Sequence, residues 1–320
     1  MQDRTLFDLT GRKALVTGGT QGIGRAGALA LAKAGADVAI TGRHEDTGAE
    51  TMDEIRALGR QSIFVRCDVA DPEQVAAMMR TVVKRFGRLD IAVNSAGAYA
   101  AGDDSNQSKD AWDRVIGVNL TGTWLCAQAQ MQQMIKQTPV EGKIINIASI
   151  AGTVACSNGS YDASKAAVVH LTRSLAAQWG RFNINVNSIS PGYLAAVLGK
   201  SRTPEDCERL RQFVPLGYVQ RPEDLHGPIV FLASKASDYM TGQDLVVDGG
   251  HTLGAWISPL NRDIPPRVTA SSARSAETAD RSTGTDADET SSHLSRRDRP
   301  SESRTAGCAG PPHPWWLHSF

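Results

Sequence analysis

Ser149, Tyr161 and Lys165 bring a hydroxyl, a phenol and an ammonium into one short stretch, Ser-Ile-Ala-Gly-Thr-Val-Ala-Cys-Ser-Asn-Gly-Ser-Tyr-Asp-Ala-Ser-Lys. Tyr161 and Lys165 lie one helical turn apart at the start of a helix-forming run, Ala163 to Trp179, so their side chains share a face. A free phenol titrates near ~10, and a neighbouring cation lowers that value, making tyrosine a better proton donor and acceptor near neutral pH. Ser149 follows the apolar strand Lys143 to Ala148 and projects its hydroxyl from a strand end. A carbonyl oxygen can be held between the two hydroxyls. A Tyr-x-x-x-Lys pair by itself occurs on many helix surfaces, so the chemistry depends on what the rest of the chain places beside it.

The chain supplies a phosphate cradle near its start. The short strand Lys13 to Thr17 runs directly into Gly18-Gly19-Thr20-Gln21-Gly22-Ile23-Gly24, and a helical pattern follows from Arg25 to Ala34. Glycines permit positive φ and close backbone approach, while a helix N-terminus offers unpaired N–H groups and partial positive charge to a pyrophosphate. The second strand, Asp37 to Thr41, ends in Gly42-Arg43-His44. An acidic residue here binds a ribose 2′-hydroxyl, whereas a cation accommodates a 2′-phosphate. Arg43, with no carboxylate before Glu45, favours NADP(H) over NAD(H).

Strands and helices go on alternating: helix Thr47 to Leu58, strand Ser62 to Arg66, Cys67-Asp68-Val69, then helix Pro72 to Phe86. Strand Ile91 to Val93 ends in Asn94-Ser95-Ala96-Gly97, small residues that let backbone lie close to a cofactor. A helical stretch from Asp110 to Gln137 carries Asn119, a poor interior helix residue that must either correct a kink or join a polar network. Strand Ile184 to Ser188 leads to Pro191-Gly192-Tyr193, followed by an irregular segment with one helical piece, Pro204 to Phe213. Helix Pro222 to Ala233 and strand Leu245 to Val247 complete the pattern before Asp248-Gly249-Gly250. This alternation predicts an α/β fold: one doubly wound, Rossmann-type parallel sheet of about seven strands with helices on both faces. Ligand then binds at the carboxyl ends of the strands, where the glycine turn, Asn94, Ser149 and Pro191 gather.

The 34 basic and 34 acidic residues cancel, which argues against nucleic acid or an anionic membrane as partner. No run reaches the ~20 apolar residues of a membrane span, and the first residues lack a signal-peptide core, so a cytoplasmic protein is expected. Cys67, Cys126, Cys156, Cys207 and Cys308 are scattered and read as reduced thiols, with no metal-ligand spacing among cysteines or histidines. A catalytic domain is expected over 1–259. From Leu260 to Phe320 hydrophobic periodicity stops and Ser, Thr, Arg, Asp and Pro dominate, which predicts a disordered tail over 260–320.

With these motifs assembled, the chain from about Leu6 to Leu253 resembles the short-chain dehydrogenase/reductase superfamily. Thr17 to Gly24 is similar to its Thr-Gly-x-x-x-Gly-x-Gly loop, Asn94-Ser95-Ala96-Gly97 to its Asn-Ala-Gly turn, and Pro191-Gly192 to the turn beside the nicotinamide. Asn119, Ser149, Tyr161 and Lys165 fall where that family has its catalytic tetrad. The resemblance implies that Tyr161 gives the proton, Ser149 polarises the carbonyl, Lys165 tunes the phenol and holds the nicotinamide ribose, and Asn119 supports a water relay. It further implies cofactor contacts at Gly18, Thr20, Gln21, Gly22, Ile23, Gly24, Arg43, Asp68, Val69, Asn94, Ala96, Gly97, Tyr161, Lys165, Pro191, Gly192 and Leu194, and a homodimer or homotetramer. Ala196 stands where many members have threonine, and Gln21 where many NADP-preferring members have a basic residue. The expected activity interconverts a ketone and a secondary alcohol, on a small polyol, ketose or keto-acid. A reductase of β-ketoacyl or polyketide-like intermediates and a non-catalytic nucleotide-binding scaffold are the alternatives. Tyr99, Cys156, Asn158 and Tyr193 are the candidate substrate-pocket walls.

Overall fold

Apolar strands with no polar alternation need cover on both faces, and the fold provides it. The computed structural model describes residues 4–100, 104–155, 157–197 and 200–254. The expected tail 260–320, the domain limit at 259 and Cys156 lie outside the described residues. In chain order the structure runs β1 (Lys13–Thr17), α1 (Gly22–Lys33), β2 (Asp37–Gly42), α2 (Glu45–Ala57), β3 (Ser62–Arg66), α3 (Pro72–Phe86) and β4 (Ile91–Asn94). It continues with α4 (Lys109–Ile116), α5 (Gly122–Met134), β5 (Gly142–Ile147), α6 (Gly159–Trp179) and β6 (Ile184–Pro191). A two-stranded hairpin, β7 (Ala196–Val197) and β8 (Lys200–Ser201), precedes α7 (Pro204–Arg211), α8 (His226–Ala233), β9 (Asp244–Val247) and α9 (His251–Gly254).

The seven long strands form one sheet in the order β3-β2-β1-β4-β5-β6-β9, every neighbour pair parallel. Successive residues of a strand point to opposite faces. Ala14, Val16, Val38, Ile40, Ile91 and Val93 accordingly join Leu31, Ile55 and Ile229 of α1, α2 and α8 in one apolar layer. Leu15, Ala39, Ala92, Ile144 and Val186 join Met78, Val82, Cys126 and Trp179 of α3, α5 and α6 in the other. Strand order reverses at β1, which is hydrogen-bonded to both β2 and β4, and this opens a crevice beyond its carboxyl end.

Local punctuation explains which elements were readable. Helix α3 has Asp71 as N-cap, accepting from the Glu73 and Gln74 N–H groups, Pro72 in its first turn, and Gly87 at φ 78° as its C-terminal stop. The expected helical stretch from Asp110 to Gln137 is an unbroken run from Lys109 to Met134, in which a π-helical turn at Gly117–Thr121 joins α4 to α5. Asn119 sits in that turn, and of the two roles foreseen for it the amide takes the second, a polar network with Ala98 and Ser164. No described helix is long and apolar enough to cross a membrane.

Candidate active site

The nucleotide half of the cleft is backbone. Gly18 has φ 64°, and a Cβ on it would lie 2.9 Å from the Ala96 Cα, so the turns after β1 and β4 pack without side chains between them. The Thr17 hydroxyl locks that approach by accepting from the N–H groups of Ser95 and Ala96 at 3.1 and 3.3 Å. A Cβ on Gly24 would collide with the Gly18 carbonyl, so only glycine lets α1 begin this close to β1. Gln21, the N-cap of α1, makes no side-chain capping bond, leaving the first-turn N–H groups facing the crevice. That cradle fits a dinucleotide pyrophosphate.

These turns open into a cleft of about 900 Å³ that spans the carboxyl ends of the strands. Gly18, Thr20, Gln21, Gly22, Ile23 and Gly24 form one wall, with Arg43, Asp68 and Val69 at the ends of β2 and β3. Ala96, Gly97 and Tyr99 line the middle; Ser149, Tyr161, Lys165, Pro191, Gly192, Tyr193 and Leu194 line the far end. Cys67 also reaches the cleft, and burial pushes its thiol up to about 11, which keeps it protonated and unreactive.

Ser149, Tyr161 and Lys165 reach the cleft from two segments. Ser149 follows β5 and caps a short 3-10 turn, Ile150–Gly152; its Oγ accepts from the Ala151 N–H at 3.1 Å, so its own O–H is left to donate. Tyr161 lies in the first turn of α6, its ring edge-on to Tyr99 with centroids 5.6 Å apart. The helix starts at Gly159, four residues before the expected Ala163, because the buried Asn158 side chain caps it by accepting from the Tyr161 N–H. Lys165 is buried, with Nζ 5.7 Å from the Tyr161 ring centroid and donating to the Ile147 carbonyl at 2.8 Å. Burial pulls its pKa down from 10.5 to about 8.

Three expected site residues are placed beneath the cleft and do not line it. Asn119 accepts from the Ala98 N–H at 2.7 Å and donates to the Ala98 carbonyl and the Ser164 hydroxyl, each at 3.0 Å. Ser164 in turn donates to the Tyr161 carbonyl at 2.7 Å, tying the π turn to the tyrosine's helix. Asn94 is not a cleft wall, because its amide is spent on Gln130 and Asn146, the latter bonded onward to Thr172. Asn158 is likewise absent from the pocket wall; besides capping α6 it donates to the Ala100 carbonyl. Sequence reasoning missed Gln130, Asn146, Thr172 and Ser164 in these networks, and Arg114, Arg202 and Asp206 on the cleft surface. A polar residue inside the apolar run Ile144-Ile145-Asn146-Ile147 was the one available signal.

Comparison with known proteins agrees with this geometry. A family model described as enoyl-(acyl carrier protein) reductase matches residues 18–252. The 2-dehydro-3-deoxy-D-gluconate 5-dehydrogenase of Dickeya dadantii is 40% identical over 251 residues, covering 76% of this chain and 96% of that one. A sorbose reductase of Candida albicans is 38% identical over 254 residues, covering 77% and 89%. Among solved structures, a gluconate 5-dehydrogenase from Burkholderia cenocepacia in complex with NADP and tartrate aligns with TM-score 0.73 at 36% identity, covering 78% of this chain and 98% of the other. Matches of this extent make the chain a member of the short-chain dehydrogenase/reductase superfamily, an oxidoreductase that interconverts CH–OH and C=O groups with a nicotinamide cofactor.

Proposed function

We propose that this chain is an NADP(H)-dependent oxidoreductase of a small polyol, ketose or keto-acid, with Tyr161 as proton donor and acceptor. The convergence of Ser149, Tyr161 and Lys165 at the end of a cleft that begins at the glycine turn carries this reading. The nicotinamide, when bound, supplies or takes the hydride. The Ser149 O–H donates to the substrate oxygen, and Tyr161 Oη delivers its proton to the same oxygen as negative charge develops there. The Lys165 ammonium, fixed by the Ile147 carbonyl, stabilises the negative charge left on the phenol oxygen and binds ribose hydroxyls. In the oxidative direction the same groups run in reverse. Asn119 is a positioning residue: its amide is committed to Ala98 and Ser164, which hold the loop before Tyr99 and the turn bearing Tyr161.

Preference for the phosphorylated cofactor is supported by Arg43 on the cleft at the end of β2, with Gly42 and His44 beside it and no carboxylate in that turn. Asp68, Val69, Ala96, Gly97, Pro191, Gly192 and Leu194 complete the proposed cofactor contacts. A cytoplasmic homodimer or homotetramer belongs to the same proposal; exposed Trp112 and Trp124 on α4 and α5 offer apolar surface for it, and light scattering after size exclusion reads the assembly. The central experiment is oxidation of NADPH and NADH by the purified chain against ketoses, keto-acids, β-ketoesters and diketones. Turnover with NADPH on the first two classes is expected. Turnover confined to β-ketoesters transfers the assignment to the ketoacyl reductases, and silence despite NADPH binding refutes catalysis.

A further inference from the structure

We infer that the carbonyl end of the cleft is built to seat a carboxylate, so that within the proposed oxidoreductase function the substrate is an oxo-acid or hydroxy-acid and not a neutral sugar. Arg202 and Arg114 are its anchors. This rests on the reductase reading and narrows it.

The charge on the cleft wall is uneven. Across the whole chain 34 basic and 34 acidic residues balance, yet the cleft surface carries Arg43, Arg114, Lys165 and Arg202 against only Asp68 and Asp206. Asp68 stands at the nucleotide end after β3, and Asp206 is already paired with Arg209 at 3.0 Å. Arg43 belongs to the nucleotide end as well, and Lys165 is committed beside Tyr161. Two guanidinium groups therefore remain at the carbonyl end with no carboxylate in ion-pair distance among the described residues.

Each is tethered to a backbone carbonyl beside the site, Arg114 from an exposed position and Arg202 from a half-buried one. Arg202 is half-buried on the segment between β8 and α7; its N–H donates to the Ala195 carbonyl at 2.8 Å and its Nε to the Leu194 carbonyl at 2.9 Å. That orients the guanidinium, and its two Nη groups have no hydrogen-bond partner among the described residues. Arg114, on α4, donates from Nη2 to the Tyr99 carbonyl at 2.9 Å, and the Tyr99 ring packs edge-on against Tyr161. One arginine thus flanks the site through Leu194, next to Pro191-Gly192-Tyr193, and the other through Tyr99. A planar fork with fixed N–H vectors and permanent charge matches the two oxygens of a carboxylate. The uncharged groups there, Ser157, Tyr193 and Thr203, bear hydroxyls, and the one carboxylate beside them, Asp206, is the partner of Arg209.

Matched substrates test this. 5-Keto-D-gluconate and L-sorbose share a carbon skeleton and configuration and differ in carrying a carboxylate or a CH₂OH at one end; equivalent pairs of other configurations extend the set. Expected is a kcat/KM for the acids about 10- to 100-fold above that for their neutral partners, the range of charge-assisted hydrogen bonds. Arg202→Gln and Arg114→Gln should each reduce that ratio about tenfold, through the KM for the acid, and Arg202→Lys should restore part of it. Equal or better turnover of the neutral partners overturns the inference while leaving the reductase reading standing. So does an unchanged ratio in both variants, or a loss that falls on the KM for NADPH and so assigns the arginines to cofactor phosphate. Silence with every carbonyl compound overturns the reductase reading, and this inference with it.

Discussion

Replacing Lys165 by methionine should make the protein more stable at neutral pH while removing its activity. Burial lowers the Lys165 pKa from 10.5 to about 8, so keeping the cation inside the fold at pH 7 costs about 3 kcal/mol relative to the unfolded chain. Methionine has similar length and no charge, so the variant escapes that cost; it forfeits the hydrogen bond to the Ile147 carbonyl, about 1 kcal/mol. The net expectation at pH 7 is a gain of about 2 kcal/mol. The sign follows from proton counts: between pH 8 and 10.5 the unfolded chain binds the lysine proton and the folded chain does not, so the parent's stability rises with pH. The penalty is fully present below about pH 8 and disappears as pH climbs to 10.5. There the order should invert, with the neutral lysine ahead by about 1 kcal/mol because it still donates to Ile147. Urea unfolding at fixed protein concentration, from pH 7 to 10.5, measures the difference. Both proteins should carry Tyr161→Phe, so that the phenol's own titration does not enter. A methionine variant less stable than its parent at pH 7, or a difference that stays flat across the range, refutes the argument. Confirmation would mean that the fold gives up stability to keep a cation beside the phenol.

Other substitutions separate the roles of the site. Tyr161→Phe should lower kcat by a factor of 10² or more, roughly the value of general acid catalysis, with NADPH affinity by fluorescence nearly intact; retained turnover removes Tyr161 from the mechanism. Arg43→Asp should shift the ratio of kcat/KM for NADPH over NADH towards NADH by about tenfold or more, and an unaltered ratio means Arg43 does not read the 2′-phosphate. Gly24→Ala should abolish measurable cofactor binding or unfold the first turn of α1, because its Cβ has no space beside the Gly18 carbonyl. Wild-type NADPH affinity in that variant would show that the turn relaxes freely.

The chain's sequence determined its local structure, the seven strands and the positions of the motifs. Strands β1 and β3 and helix α3 have the limits read from the residues, because apolar runs, Asp71-Pro72 and Gly87 act within a few positions of themselves. The spacing of Tyr161 and Lys165, and the glycines between β1 and α1, are equally local. Tertiary structure decided which polar side chains face the cleft and which lie under it. Asn94 finds Gln130 and Asn146, 36 and 52 residues away, and Asn158 finds Ala100, 58 residues away, so amides that look like ligands become internal fasteners. In the π turn the Asn119 amide is claimed by Ala98 and Ser164, from two other segments. Arg114 and Arg202 gave no signal in a linear reading, since only packing brings them to a common cleft, and the depressed pKa of Lys165 is likewise a property of burial. Side-chain direction and desolvation are set by distant neighbours, whereas periodicity and turn chemistry are set by adjacent ones; the first pair therefore waits for the fold, and the second is written along the chain.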